Sequence, residues 1–264
     1  MSDAAVIGTA GVNPIYLLQA QQAQSRAPVS SLNTRCSTCH LRGLCLPCAM
    51  SSGELAGLDS LMFGRHRVKA GQAVYYQGDR FQFIYAVRGG TCKTSLTLTD
   101  GREQVSGFHM TGELMGLDAV AQGTHGNTAR ALEDTELCSI PFAQLSELAA
   151  ANAGMQLLVA QLMSREIVRE HSLMILLGSM NANQRLAAFL LNLSQRYAAR
   201  GYSAREFHLR MSRAEIASYL GMKVETVSRT FTAFQQRNLL AVNKRHISIT
   251  DMEGLSRAFE LPMG

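Results

Sequence analysis

Six cysteines carry the most distinctive chemistry of this chain: Cys36, Cys39, Cys45, Cys48, Cys92 and Cys138. Four of them form a Cys-x2-Cys-x5-Cys-x2-Cys run. So tight a group of thiols binds metal, does redox chemistry or pairs as disulfides, and the compartment decides which. The chain has no apolar run long enough to span a bilayer and no basic-then-apolar signal at its N-terminus. This predicts a cytoplasmic protein with no membrane partner, whose thiols stay reduced. Two metal readings remain, beside that of a thiol-based redox regulator without metal. One is a tetrahedral zinc site on Cys36, Cys39, Cys45 and Cys48. The other is an iron–sulfur cluster, which takes four thiolates. Paired CxxC knuckles around zinc usually enclose a longer insert than five residues, which weighs against zinc. A thiol oxidoreductase using Cys36-x2-Cys39 would need a βαβ pattern that the sequence lacks. Cys92, among strand-like residues, reads as a core thiol, and His40 as a bystander.

A second chemistry lies near the C-terminus. Between Arg205 and His246 there are eight Arg and Lys against three Glu, a local excess of five that equals the net charge of the whole chain, +5. Ser212-Arg213-Ala214-Glu215 is a capping box that starts a helix ending at Gly221. A second helix runs from about Val224 to Arg237. Val227, Phe231 and Phe234 form its core face, and Glu225, Ser228 and Arg229 its polar face. Such a face suits the major groove, where Arg pairs with guanine, Glu accepts from cytosine, and Ser serves either role. Leu239–Val242 and His246–Thr250 read as two strands of a wing around Asn243-Lys244-Arg245. Lys244 and Arg245 there are expected to meet phosphates, and Arg213 to belong with them to the DNA-binding set.

These groups need a scaffold. Residues 1–50 read as a flexible arm, with a short helical stretch near Tyr16–Gln24, followed by the cysteine loop. Residues 51–150 show short β-rich runs between closely spaced glycines, the pattern of a β-roll. From about Phe142 to Arg200 the pattern is helical. Within residues 151–181, Ala160, Met163, Ile167, Glu170, Met174 and Leu177 recur at steps of 3 and 4, the seam of a two-helix dimer. Asn181-Ala182-Asn183 reads as a hinge before a DNA-binding domain at 182–264. The fold class expected is α+β: a β-roll resembling a cyclic-nucleotide-binding domain, a long dimerisation helix and a winged helix-turn-helix. No P-loop, GxSxG, HExxH or dinucleotide fingerprint is present, which argues against an enzyme.

The whole resembles the cyclic-AMP receptor protein/FNR superfamily, and within it the FNR (fumarate and nitrate reduction) branch. The stretches that carry the likeness are Val224-Glu225-Thr226-Val227-Ser228-Arg229, Gly107–Leu114, Cys138–Phe142 and Arg185–Leu193. The resemblance covers about Cys36 to Asp251. It implies a homodimeric transcription regulator that reads palindromic TTGAT-type sites in double-stranded DNA and meets RNA polymerase through surface loops of the roll. Glu225, Ser228 and Arg229 would contact bases. Cys36, Cys39 and Cys45, with Cys138 as a distant fourth ligand, would hold an oxygen-labile [4Fe-4S] cluster that controls dimerisation. Glu170, facing its own copy across a two-fold axis, would oppose pairing when the cluster is lost. In the cyclic-nucleotide branch an arginine followed by Ser or Thr grips the cyclic phosphate. Here the stretch reads Asn127-Thr128-Ala129, so no cyclic nucleotide is expected.

Overall fold

The computed structural model describes residues 35–45, 50–61 and 64–260, and the backbone of Val29 and Ser30. The arm helix expected near Tyr16–Gln24, and Cys48, lie outside the described residues. Two antiparallel sheets make the roll. One runs β1-β2-β9-β4-β7, from Val29–Ser30, Gly64–Val68, Thr135–Pro141, Phe83–Gly89 and Leu114–Met115. The other runs β3-β8-β5-β6, from Ala73–Tyr75, Thr128–Ala131, Thr91–Thr97 and Glu103–Met110. Val68, Val87, Cys92, Ala129 and Leu137 fill the space between them. Cys92 is fully buried there, and burial pushes its thiol up to about 12. Val29–Ser30, within the segment expected to be a mobile arm, pairs antiparallel with His66 and Arg65. An edge strand offers its backbone groups to any extended segment, whatever that segment's side chains.

The continuous helical pattern resolves into three helices. α2 (Phe142–Ala151) ends at Asn152, whose extended backbone and side chain cap α3 (Ala153–Ser179) by accepting from the Met155 N–H at 3.1 Å. Before the roll, α1 (Ser52–Asp59) opens on a Ser51/Glu54 capping box that the sequence reading passed over. The buried face of α3 is Met155, Leu158 and Leu162, which join Leu55, Leu58, Ile84, Ile140 and Leu145 in one core.

Asn181 caps α4 (Ala182–Ala199) with a second capping box, closed by Gln184. The winged domain follows: β10 (Glu206–His208), α5 (Arg213–Tyr219), α6 (Val224–Gln236), β11 (Leu240–Asn243), β12 (His246–Ile249) and α7 (Met252–Glu260). Its sheet order is β10-β12-β11. Gly221 turns between α5 and α6 at φ +60°. The domain is docked on the roll. Lys93 bridges Glu103 at 2.9 Å and Glu215 of α5 at 3.1 Å, and Val105 donates its N–H to the Ser218 hydroxyl at 2.9 Å. Val105, Phe108 and Met110 share a core with Phe189 and Leu190 of α4.

Candidate metal centre and nucleic-acid interface

The cysteine loop folds as tight turns, with Cys39 donating its N–H to Cys36 O at 3.2 Å and Cys45 to Leu41 O at 2.9 Å. Asp59, at the end of α1, anchors it: its carboxylate accepts the Ser37 N–H at 3.1 Å and the Ser37 hydroxyl. Cys138 comes from the opposite direction, on β9, between Arg65 of β2 and Ala86 of β4. Cys36, Cys45 and Cys138 all pack on the core that buries the inner face of α3. Burial pushes the Cys36 thiol up to about 12, and Cys45, Cys138, Asp59 and Cys39 around it push the same way. Burial raises Cys138 as well, opposed by the Arg88 guanidinium beside it. Arg88 also donates to Cys39 Sγ at 3.5 Å, so one cation touches a thiol from each chain segment.

None of the four is in a disulfide. Among the described residues, no three or more His, Cys, Asp or Glu side chains are arranged to hold a metal ion. The donor chemistry fits a thiolate-bound cluster. Four half-buried soft donors lie in one neighbourhood, two of them touching Arg88, and their mutual repulsion as thiolates is what a cationic inorganic core would relieve. His40 is exposed, and the one carboxylate beside Cys36, that of Asp59, is occupied by Ser37.

The residues expected to face DNA divide. On α6, Val227, Thr230, Phe231 and Phe234 are buried, while Glu225, Ser228 and Arg229 stand exposed on the other side. The Ser228 hydroxyl donates to Val224 O at 3.0 Å, leaving its lone pairs to accept. Val224, at the start of the helix, is also exposed, an apolar group suited to a thymine methyl that the sequence reading had not placed in the interface. Lys244 and Arg245 form the two-residue tip between paired Asn243 and His246, both side chains exposed. Arg213 is placed otherwise. Its guanidinium lies 3.3 Å from the centre of the Phe231 ring, and burial lowers it to about 10. Stacking on that aromatic face joins α5 to α6 through a side chain that stays partly exposed.

The six seam residues also divide. Ala160, Ile167, Glu170 and Met174 are exposed, but Met163 faces a cavity against the roll and Leu177 packs beside Gly221 of the winged domain. The exposed apolar face of α3 includes Leu157, Val168 and Ile175, which the stripe left out. At about 100° per residue these three fall together, on the far side of Ile167 from Glu170. Glu170 stands at the margin, 3.8 Å from its own Arg169. The roll and the winged domain partly cover one edge of the sequence stripe, at Met163 and Leu177.

Between α3 and the roll lies a cavity of about 540 Å³ lined by His109, Asp118, Asn127, Glu166, Arg169 and Glu170, among others. Asn127 accepts from the Tyr75 hydroxyl at 3.2 Å, and Arg169 is ion-paired with Glu166. Glu113 turns away from this cavity towards α4.

A roll, a long helix and a winged helix-turn-helix with an exposed polar recognition face define a DNA-binding transcription regulator, not an enzyme. Comparison with known proteins agrees. Residues 184–258 match the Crp-like helix-turn-helix domain and residues 65–152 the cyclic nucleotide-binding domain. The chain is similar to the transcriptional regulatory protein btr of Bordetella pertussis, at 44% identity over 89% of this chain and 97% of that one. It is 42% identical to the transcriptional activator protein FnrA of Stutzerimonas stutzeri over 83% of this chain and 90% of that one. It is 39% identical to the fumarate and nitrate reduction regulatory protein of Escherichia coli over 84% and 89%. FixK2 from Bradyrhizobium japonicum shares its fold, with a TM-score of 0.71 at 25% identity over 77% of this chain and all of that one. The chain belongs to the FNR branch of the Crp/FNR family. No helix among the described residues is long and apolar enough to cross a membrane.

Proposed function

We infer that this regulator responds to oxygen through a [4Fe-4S] cluster held by Cys36, Cys39, Cys45 and Cys138, and that it binds palindromic DNA as a homodimer. The observation that carries the reading is that Cys36 lies among Cys39, Cys45 and Cys138, thiols from two distant chain segments, with Arg88 touching one of each segment and the core beneath α3 under three of them. Similarity to FNR proteins supports it. When bound, the cluster supplies an oxygen-labile tie between the loop and the roll.

The chain's own residues do the rest. Asp59 and Ser37 seat the loop, and Cys138 joins it to β9. Cys36, Cys45 and Cys138 press on the core that also holds Met155, Leu158 and Leu162, so the seating of the loop bears on how α3 lies. The outer face of α3, with Ile167, Val168, Met174 and Ile175, offers the dimer contact. Pairing sets two recognition helices on two half-sites. Glu225, Ser228 and Arg229 read bases, Val224 meets a thymine methyl, and Lys244 and Arg245 meet phosphates. Arg213 supports the recognition helix from inside. Loops of the roll meet RNA polymerase. The cavity beside α3 binds no cyclic nucleotide, since Asn127 carries no charge for its phosphate and Arg169 is already paired.

The test is to purify the protein without oxygen, assay iron, sulfide and zinc, and follow colour and DNA binding as air is admitted. Near-equal iron and sulfide, bleaching in air with loss of DNA affinity, and failure of Cys138→Ala to hold iron are the expected results. A colourless protein that holds zinc, or one indifferent to air, overturns the reading.

A further inference from the structure

Gly112 and Glu113 lie between the cysteine loop and the DNA-binding domain and touch both. Their turn is fixed to the roll: Gly112 donates to Val87 O at 2.7 Å, and Val87 donates to Glu113 O at 2.9 Å. The Glu113 carboxylate also accepts the Met110 N–H at 3.0 Å.

On one side the turn meets the loop. Gly112 has φ +88°, and a Cβ placed on it would stand 2.8 Å from the Cβ of Leu44. Leu44 therefore rests on bare glycine backbone, and it immediately precedes Cys45. On the other side the turn meets α4, the first helix of the winged domain. Arg196 grips the Glu113 carboxylate with both ends of its fork, Nε to Oε1 at 3.0 Å and Nη2 to Oε2 at 2.5 Å. Arg200 adds Nη2 to Oε1 at 2.5 Å. The same arginines bind the backbone of the turn, Arg196 at Phe108 O and Arg200 at Thr111 O, both at 2.7 Å.

A bidentate carboxylate with two guanidinium partners tolerates little change in angle. Moving the Glu113 turn therefore moves α4 or breaks the pairs. Breaking them leaves Arg200, which is almost wholly buried, with an uncompensated charge. We propose that the Gly112–Glu113 turn relays the state of the cysteine loop to the DNA-binding domain within a single chain, through Leu44 on one side and Arg196 and Arg200 on the other. This rests on the reading that the cysteine loop is the sensor. It goes beyond it by adding a route independent of dimerisation, and by giving Glu113 a task other than ligand binding. Both ends bias one element, the seating of α4 on the roll, which is what coupling requires.

The experiment uses the full-length chain and four proteins: wild type, Glu113→Gln, Leu44→Ala and the double variant. Each is loaded with iron and sulfide without oxygen, and its affinity for one palindromic operator is measured before and after the cluster is removed by air. Iron and sulfide content and the rate of bleaching are recorded alongside. The relay predicts that Glu113→Gln loads and bleaches like the wild type; for the two Leu44 variants, whose site adjoins Cys45, affinities are compared at equal iron and sulfide content. It predicts that the ratio of affinities between the two states falls about tenfold or more in Glu113→Gln. It predicts a similar fall in Leu44→Ala and no further fall in the double variant, the non-additivity of a shared path. Equal weakening of both states in Glu113→Gln, with the ratio unchanged, overturns the relay, and so do additive losses in the double variant. Leu44→Ala leaves the ion pairs intact and keeps the test decisive if Glu113→Gln folds poorly. A wild-type protein with no difference between the two states would instead overturn the sensor reading itself.

Discussion

Ile167→Ala separates the dimer face of α3 from the face that holds the chain together. Ile167 is 55% exposed in the single chain, so pairing can cover roughly half of its side chain. The substitution deletes three carbons, at about 0.8 kcal/mol each when fully buried. Scaled by that exposure, the loss is about 1.3 kcal/mol per chain and about 2.6 kcal/mol per dimer. At 1.4 kcal/mol per tenfold, this weakens dimerisation roughly 50- to 100-fold. The monomer fold keeps nearly all its stability, because half the side chain was already in water. Sedimentation equilibrium of the anoxic, loaded protein measures the first quantity and thermal unfolding the second. Leu177→Ala is the control. Leu177 lies in the same sequence stripe but packs against its own winged domain, with Cδ2 3.3 Å from a Cβ built on Gly221. It should lower the melting temperature and spare the dimer. An unchanged dissociation constant in Ile167→Ala, or an equal weakening by both variants, would refute the assignment of the face.

Three other outcomes follow from named contacts. His109 is buried beside Arg169, and burial first, then that charge, push it down to about 3. A folded-state value below the unfolded one, near 6.5, means that stability is lost as pH falls through the window from 6.5 towards 3. The fold should be about 2 kcal/mol less stable at pH 5 than at pH 7 from this group, and His109→Gln should flatten that slope in denaturant titrations. Arg229→Ala should cost about 1–3 kcal/mol in operator binding and relax specificity at one base pair, whereas Lys244→Ala should weaken all sequences alike and reduce the salt slope by about one. Arg88→Ala should load iron and sulfide without oxygen yet bleach faster in air, because a cation and N–H donor beside the thiolates disfavour electron loss, with Arg88→Lys in between. Equal bleaching rates in the three proteins would remove Arg88 from the sensor.

What was legible in the sequence is what depends on local spacing. The Ser212/Glu215 capping box, the Gly221 turn and the amphipathic α6 are set by contacts within four residues, and they stand where the pattern put them. Long-range pairing was not legible. Cys138 is recognisable as a fourth thiol only by resemblance, because its meeting with Cys36 and Cys39 depends on β9 lying between β2 and β4. The break at Asn152 was hidden because its neighbours are good helix formers, and a single side-chain cap decides it. The Ser51/Glu54 box of α1 was readable but masked by a segment with few apolar residues. β10 is too short to show a period of two. Arg213 illustrates the general limit. Its charge put it among the DNA-binding residues, but nothing within its own turn reveals that it also stacks on Phe231, an aromatic face one helix away.

The same limit explains why Glu113 and the cavity beside α3 are easily misread. Gly112-Glu113-Leu114 is compatible with a nucleotide-binding roll, and the cavity is present, yet the carboxylate is turned out of it and held by Arg196 and Arg200. Desolvation works to raise that carboxyl, and the two arginines bring it below the ordinary range. A carboxylate so held is not free to accept from a ligand hydroxyl unless α4 first lets go. Ligand binding in the cavity and docking of the winged domain would then compete for one side chain. In this chain the docking contacts hold Glu113, while Leu44 of the cysteine loop rests on Gly112 and Cys36, Cys45 and Cys138 pack on the core under α3. On the proposed relay, a signal that enters at the cysteine loop would reach α4 through the Gly112–Glu113 turn, outside the cavity, and would need no occupant within it.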